Sequence, residues 1–246
     1  DLSGRSELLG QAHHALGTLD IFTGKPARAL VELAEAERQF TTASDSIGLL
    51  RTYANQAMAY ESTLDWSAER AVRIRQIRLS RNLHDKLGVA IAQIGLSVIE
   101  RRIGNLDEAL RVAQEAEEAF KNIHSSVGLA AAYQNFANIY NYKEEHWAAI
   151  YNSRRALVLF EEVRDPRGVG ASLGVLGSSA KNIGDDNEAV FGLLGSIAIK
   201  RITGYAITPD GKRDELIQTD ALSEILRKIG KSEFERVLKN ARQELV

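Results

Sequence analysis

Three stretches of sequence decide how the rest is read: Gly104-Asn-Leu-Asp-Glu-Ala109, Glu144-Glu-His-Trp-Ala-Ala149 and Gly184-Asp-Asp-Asn-Glu-Ala189. They stand 40 residues apart, and the frame reaches back to Leu64-Asp-Trp-Ser-Ala-Glu69 and Gly24-Lys-Pro-Ala-Arg-Ala29. Gly48, Gly88, Gly128 and Gly168 keep the same spacing. A fixed period of this length marks a repeat architecture, in which one supersecondary unit recurs and buries its apolar face only against its neighbours. Five units share the frame, over residues 8–47, 48–87, 88–127, 128–167 and 168–207.

Each unit reads as helix, tight turn, helix. Apolar residues before a turn recur at spacings of three and four, as in Leu129, Tyr133, Phe136, Ala137 and Tyr140. They do so again after it, as in Ala109, Val112, Ala113, Ala116 and Phe120, which is the period of an amphipathic helix. Gly104 and Gly184 suit a left-handed helix end, and Asn105 or Asp185 can cap the helix that follows. The strongest strand candidate, Leu157-Val-Leu-Phe160, falls in the frame of a second helix. Pro26 sits at a first helical turn, Pro166 between units and Pro209 in a loop, so no proline interrupts a helix. After the fifth unit the frame breaks. Residues 202–213 read as an inserted loop with a Pro-Asp-Gly turn, and Asp214 to Ile229 with Ser232 to Leu245 as a sixth, divergent helix pair within 214–246.

The unit resembles the tetratricopeptide repeat in a 40-residue form, on Leu16-Gly17 and Leu176-Gly177, on Tyr60 and Tyr140 one turn after Ala57 and Ala137, on the Gly-(Asn/Asp)-x-x-Glu-Ala turn, and on Ala36, Ala116 and Ala156 in second helices. Ser97, Gln76 and Ser196 depart from it, each standing where the pattern has a small packing residue. The resemblance implies an all-α fold: a right-handed superhelical solenoid of about six antiparallel helix pairs, forming a single domain over residues 1–246. It also implies a binding surface along the first helices. On that surface fall Gln11, His14 and Thr18, then Arg51, Ala54, Asn55 and Met58, then Ile91, Ile94, Val98 and Arg101, then Gln134, Asn135, Asn138 and Asn141, then Gly174, Ser178 and Lys181. The peptide-binding candidates among these are Arg51, Asn55, Met58, Ile94, Val98, Arg101, Gln134, Asn135, Asn138 and Ser178.

Asn is poor in a helix interior, yet Asn135, Asn138 and Asn141 recur three apart. Their amides, each donor and acceptor, can grip a peptide backbone, or they can bond neighbouring helices. Arg70, Arg73, Arg75, Arg78 and Arg81 crowd one second helix but scatter around its circumference. Neighbouring second helices carry Glu32, Glu35, Glu37, Glu108, Glu115, Glu117 and Glu118, so ion pairing between repeats is expected of the arginines. His84 and His124 hold equivalent repeat positions and form no metal site.

Composition excludes several chemistries. The chain has 246 residues, net charge −2 and no cysteine. Disulfides, thiolate metal sites and cysteine nucleophiles are thereby impossible, and the charge leaves no nucleic-acid footprint. No apolar run is long enough to span a membrane, and the first 25 residues lack a signal-peptide core. Gly168-Val-Gly-Ala-Ser-Leu-Gly174 imitates a dinucleotide-binding glycine pattern but opens a helix with no strand before it, where its glycines permit close packing or leave room for a ligand. Gly230-Lys231-Ser232 lacks the first glycine of a phosphate loop, since Ile225 stands there. The reading is a non-enzymatic, cytoplasmic interaction module without cofactor or metal, holding a peptide or protein segment in its groove. Two other readings stand beside it: the sensor region of a larger signalling protein, and a scaffold assembling through terminal residues such as Phe234, Val237 and Leu238. The chain opens on Asp1 instead of methionine, as expected of a fragment.

Overall fold

The 40-residue repeat is itself built of two halves of equal length, as the backbone shows. In the computed structural model, which describes residues 2–204 and 209–244, one residue in every twenty from Gly24 to Gly204 lies in the left-handed region. These are Gly24, Ser44, Leu64, His84, Gly104, His124, Glu144, Arg164, Gly184 and Gly204, with φ between 53° and 90°. Each ends a helix. The next amide then reaches back five residues, as Asp45 N does to Phe40 O (2.9 Å), Asp85 N to Ser80 O (2.9 Å) and Asp165 N to Phe160 O (2.8 Å). That is the hydrogen bond of a Schellman turn, and it satisfies a carbonyl the helix end would otherwise orphan. The same residue caps the following helix. Asp45 accepts from Gly48 N (2.9 Å), Asp65 from Ala68 N (3.0 Å), Asp85 from Gly88 N (2.8 Å), Ser125 from Gly128 N (3.1 Å) and Asp185 from Glu188 N (3.1 Å). His84 and His124 thus recur because they occupy turn positions.

The described residues form twelve helices: α1 (Leu2–Phe22), α2 (Pro26–Ala43), α3 (Ser46–Thr63), α4 (Trp66–Asn82), α5 (Lys86–Arg102), α6 (Leu106–Asn122), α7 (Ser126–Tyr142), α8 (His146–Glu162), α9 (Pro166–Ile183), α10 (Asp186–Ile202), α11 (Pro209–Ile229) and α12 (Lys231–Glu244). The described residues hold no strand, and Leu157 to Phe160 lie inside α8. No described helix is long and apolar enough to cross a membrane. The chain divides into two compact halves, Asp1–Ala119 and Phe120–Val246.

In the N-terminal half, α1 packs on α2, α2 on α3, α3 on α4 and α4 on α5. Gly17 lets α1 approach α2 closely, since a Cβ there would stand 2.7 Å from Leu33 Cγ. Its equivalent Ser97 keeps the approach by another device: the hydroxyl donates to Ala109 O at 2.7 Å. Arg75 pairs with Glu37 on α2 at 2.5 Å, which is the ion pairing between neighbouring second helices expected of the arginine run, whereas Arg70 pairs at 2.5 Å with Glu100, buried on the first helix α5. Arg73 instead pairs at 3.7 Å with Glu69 of its own helix. Glu69 is buried at the turn position that holds alanine in the other repeats, and burial raises its pKa.

The C-terminal half stacks α7, α8, α9 and α10 in the same manner, and α11 and α12 close on α10. Gly177 and Gly192 meet backbone to backbone between α9 and α10, with a Cβ on Gly192 falling 2.6 Å from Gly177 N. The core gathers Ile150, Leu173, Leu176, Val190, Leu193, Ile225 and Val237. Phe234 and Leu238 pack against this core, so the three terminal residues read as an assembly surface find partners within their own half.

Three of the four glycines spaced 40 residues apart share a steric cause, while the fourth, Gly88, faces Ser80 and the cap Asp85. A Cβ on Gly48, Gly128 or Gly168 would lie 2.5 Å from a ring carbon of Phe40, Phe120 or Phe160, in each case the residue eight positions earlier. Pro209 corrects the loop expected of residues 202–213. It begins α11, because proline's missing N–H and fixed φ suit a first helical position, and the Pro-Asp-Gly triplet is helical. The divergent first helix therefore starts five residues before Asp214, while residues 205–208 of the expected loop lie outside the described residues.

Candidate functional site

A cavity of about 440 Å³ opens in the C-terminal half among α7, α9, α10 and α11. α7 contributes Gln134, Asn138 and Asn141, whose spacing of four and three keeps them on one helical face. α9 offers mostly small residues, Gly170, Ala171, Gly174 and Ser178, with Arg167 exposed at its start. Gly174 leaves the space open, since a Cβ there would come 3.0 Å from Gln218 Nε2 and 3.1 Å from Ser196 Oγ. The glycine-rich string is thus divided in purpose: Gly168 admits Phe160, Gly170 admits Ile199, and Gly174 widens the cavity.

The polar lining is partly committed and partly open. Asn138 Nδ2 donates to Gln134 O (2.9 Å), and Asn141 Oδ1 accepts from Ser179 Oγ (3.0 Å). Ser172 Oγ lies 2.6 Å from Gln134 Oε1. Gln218 Nε2 donates to Ser196 Oγ (3.0 Å), whose own proton goes to Gly170 O (2.7 Å). Gln218 Oε1 remains buried with no hydrogen-bond partner among the described residues, on a side chain 6% exposed. A buried acceptor left open costs roughly 1–3 kcal/mol, which a ligand N–H would recover. Lys200, also buried, pairs with Asp214 of α11 at 3.1 Å. Arg167, Lys200 and Asp214 give the lining one net positive charge.

Of the residues marked out by sequence, Gln134, Asn138 and Ser178 converge here. Asn135 does not; it is buried, 3% exposed. In the N-terminal half a smaller cavity, about 280 Å³, is lined by Gln11, His14, Ala15, Phe40, Gly48 and Arg51. Asn55 lies beside it and gives its amide hydrogens to α1, at 2.7 Å from Thr18 Oγ1 and 3.1 Å from His14 Nε2. His14 accepts there as a neutral imidazole, and burial first, then the nearby Arg51 cation, lower its pKa. Met58 is exposed on α3, while Ile94, Val98 and Arg101 are half-buried along α5; none of these lines that cavity. Sequence reasoning missed Arg167, Lys200, Thr203, Asp214, Ile217 and Gln218. Most of these sit at or beyond the point where the repeat frame stops, so no register marked them.

Residues 88–162 match the tetratricopeptide repeat family model. No curated protein matches the chain in sequence. Among solved structures, BtubC (BKLC) from P. vanneervenii is similar with TM-score 0.68 at 20% identity, over 83% of this chain and 84% of that one. The apo form of RapI has TM-score 0.68 at 11% identity, over 97% and 85%. A Signal Transduction ATPase with Numerous Domains from Pyrococcus horikoshii, with a tetratricopeptide repeat sensor, has TM-score 0.65 at 14% identity. It is matched by 100% of this chain, which spans 39% of its length. Likeness at these identities establishes the fold, and tetratricopeptide repeats generally mediate protein–protein interaction. The chain is an all-helical tetratricopeptide-repeat fold, and its residues 88–162 carry that family's sequence pattern.

Proposed function

We propose that the chain is a non-enzymatic module that holds an extended segment of a protein partner, with the cavity between α7, α9, α10 and α11 as its principal site. One observation carries the reading. Gln134, Asn138 and Ser178, chosen for their repeat positions, line a single cavity together with the open acceptor Gln218 Oε1 and the cations Arg167 and Lys200. A peptide supplies what this lining lacks: backbone N–H groups for the buried acceptor, and an acidic side chain for the net positive charge. The cavity offers no thiol, and its one carboxylate, Asp214, is engaged by Lys200. The cysteine-free composition accords with a cytoplasmic setting.

The test is binding to an array of short peptides of varied charge, read by fluorescence anisotropy. Asn138→Ala combined with Arg167→Glu is expected to weaken capture of acidic peptides on the order of tenfold or more, with the thermal midpoint unchanged. Both side chains stand clear of the core, so undiminished binding in the double variant would move the site elsewhere.

A second reading is favoured by one observation: the full chain superposes on part of a larger signalling ATPase that includes a tetratricopeptide repeat sensor. In that reading the same cavity senses its ligand on behalf of an effector domain. Peptide binding that alters the activity of a covalently linked domain supports it, and binding without such coupling refutes it.

A further inference from the structure

The first helix carries an apolar face that every later repeat buries. Position by position along the 40-residue frame, Leu16 corresponds to Gln56, Leu96, Phe136 and Leu176, which are 2–8% exposed; Leu16 is 44% exposed. Leu19 corresponds to Ala59, Ile99, Ile139 and Ser179, which are 0–1% exposed; Leu19 is 58% exposed. Leu8 and Ala12 extend the open stripe along α1. Between Leu8 and Phe22 the one formally charged side chain is Asp20, which is buried and paired with Arg28 of α2. A helix face without charge is one shaped for burial.

The frame also says where the covering element ends. Left-handed residues fall every twenty positions from Gly24 to Gly204, and twenty before Gly24 stands Gly4. Later first helices begin at Ser46, Lys86, Ser126 and Pro166, two residues after the left-handed turn, which places the equivalent start at Ser6. In this 246-residue chain α1 instead begins at Leu2 and runs through Gly4, where a Cβ would meet open space. The opposite end differs: α12 turns Phe234, Val237 and Leu238 to the core and leaves Lys231, Ser232, Glu235, Arg236 and Lys239 exposed, as a terminal capping helix does.

We infer that the open face of α1 is an internal repeat interface, occupied by the second helix of a further repeat of the same polypeptide that ends at Leu2–Ser3 and turns at Gly4. The occupant continues an interface already present within the chain, where α2 covers α3 and α8 covers α9. The inference extends the array and does not depend on the peptide site.

The experiment compares the 246-residue chain with the encoded polypeptide that continues upstream of it, by hydrogen exchange and thermal unfolding. In the longer protein the amides of residues 8–22 are expected to gain at least tenfold protection. Gly4→Ala should lower its melting temperature while leaving that of the shorter chain unchanged or raised, because the same residue turns left-handed in one and is helical in the other. Leu19→Glu should destabilise the longer protein and spare the shorter one. Equal protection in both proteins, or a coding sequence that starts at this chain's first residue, overturns the inference. So does a dimer of the shorter chain that Leu19→Glu dissociates and that persists in the longer protein, since a second copy would then be the occupant.

Discussion

The contact between Gly128 and Phe120 lends itself to a quantitative test, because two opposing effects of one substitution can be separated. Replacing glycine by alanine inside a helix normally stabilises it by about 1 kcal/mol. At Gly128 the added methyl carbon would stand 2.5 Å from Phe120 Cγ and closer to the ring edge, with Phe120 only 2% exposed and unable to swing out. Overpacking of this kind costs roughly 1–3 kcal/mol. Gly128→Ala is therefore expected to destabilise by up to about 2 kcal/mol net. Phe120→Ala alone should cost about 3–5 kcal/mol by opening a cavity. In that background the methyl group meets space, and Gly128→Ala should then stabilise by about 1 kcal/mol. The cycle thus carries a coupling of about 1–3 kcal/mol, measurable as shifts in urea midpoint at constant slope, followed by circular dichroism. The cap bond from Gly128 N to Ser125 Oγ survives the change, so it does not confound the reading. Effects that add to within about 0.5 kcal/mol would show that the glycine period has another cause.

Two further outcomes follow from the turns and from the buried ion pair. Leu64→Gly should stabilise the protein by about 0.5–1 kcal/mol, since an exposed leucine at φ 59° bears left-handed strain that glycine lacks, less the added freedom of the unfolded chain; a lower urea midpoint would refute it. Arg73→Met should cost about 3 kcal/mol at pH 7 by leaving Glu69 a buried carboxylate without its cation. Glu69 has a folded-state pKa above its ordinary 4.5, so the penalty vanishes below that value and grows as pH rises through the folded one. Unfolding of Arg73→Met at pH 4 and pH 7 should show the deficit shrinking in acid, and a deficit independent of pH would assign the loss to packing alone.

Helices and turns were legible wherever glycine or a carboxylate announced them, as at Gly104 and Gly184. Ser44, Leu64, Glu144 and Arg164 adopt the same left-handed geometry with side chains that do not signal it. There only the frame reveals the turn, because the Schellman bond and the following cap impose the conformation on whatever residue is present. The asparagine stripe divides between two faces for a geometric reason. A step of three rotates a helix position by about 60° short of a full turn, so Asn135 and Asn141 stand roughly 120° apart. Asn135 turns into the interior, while Gln134, Asn138 and Asn141, spaced four and three, share the face that opens on the cavity. The contribution of α11 could not be read at all, since Asp214 and Gln218 follow a break in the period and their partners Lys200 and Ser196 lie on another helix.

The two- or three-residue connection has a consequence for how such a chain can change length. The residue after each left-handed one is used twice, its amide finishing one helix and its carbonyl starting the next, so the link contains little slack. One added residue would break the reach back to the old helix or the reach forward into the new one. Growth by whole twenty-residue steps leaves both intact. The array therefore counts, and among the described residues its count fails between Gly204 and Gly230, which is also where the lining of the cavity gains Asp214, Ile217 and Gln218. A departure from the arithmetic of the repeat and the chemistry that individualises the site occupy the same stretch of chain.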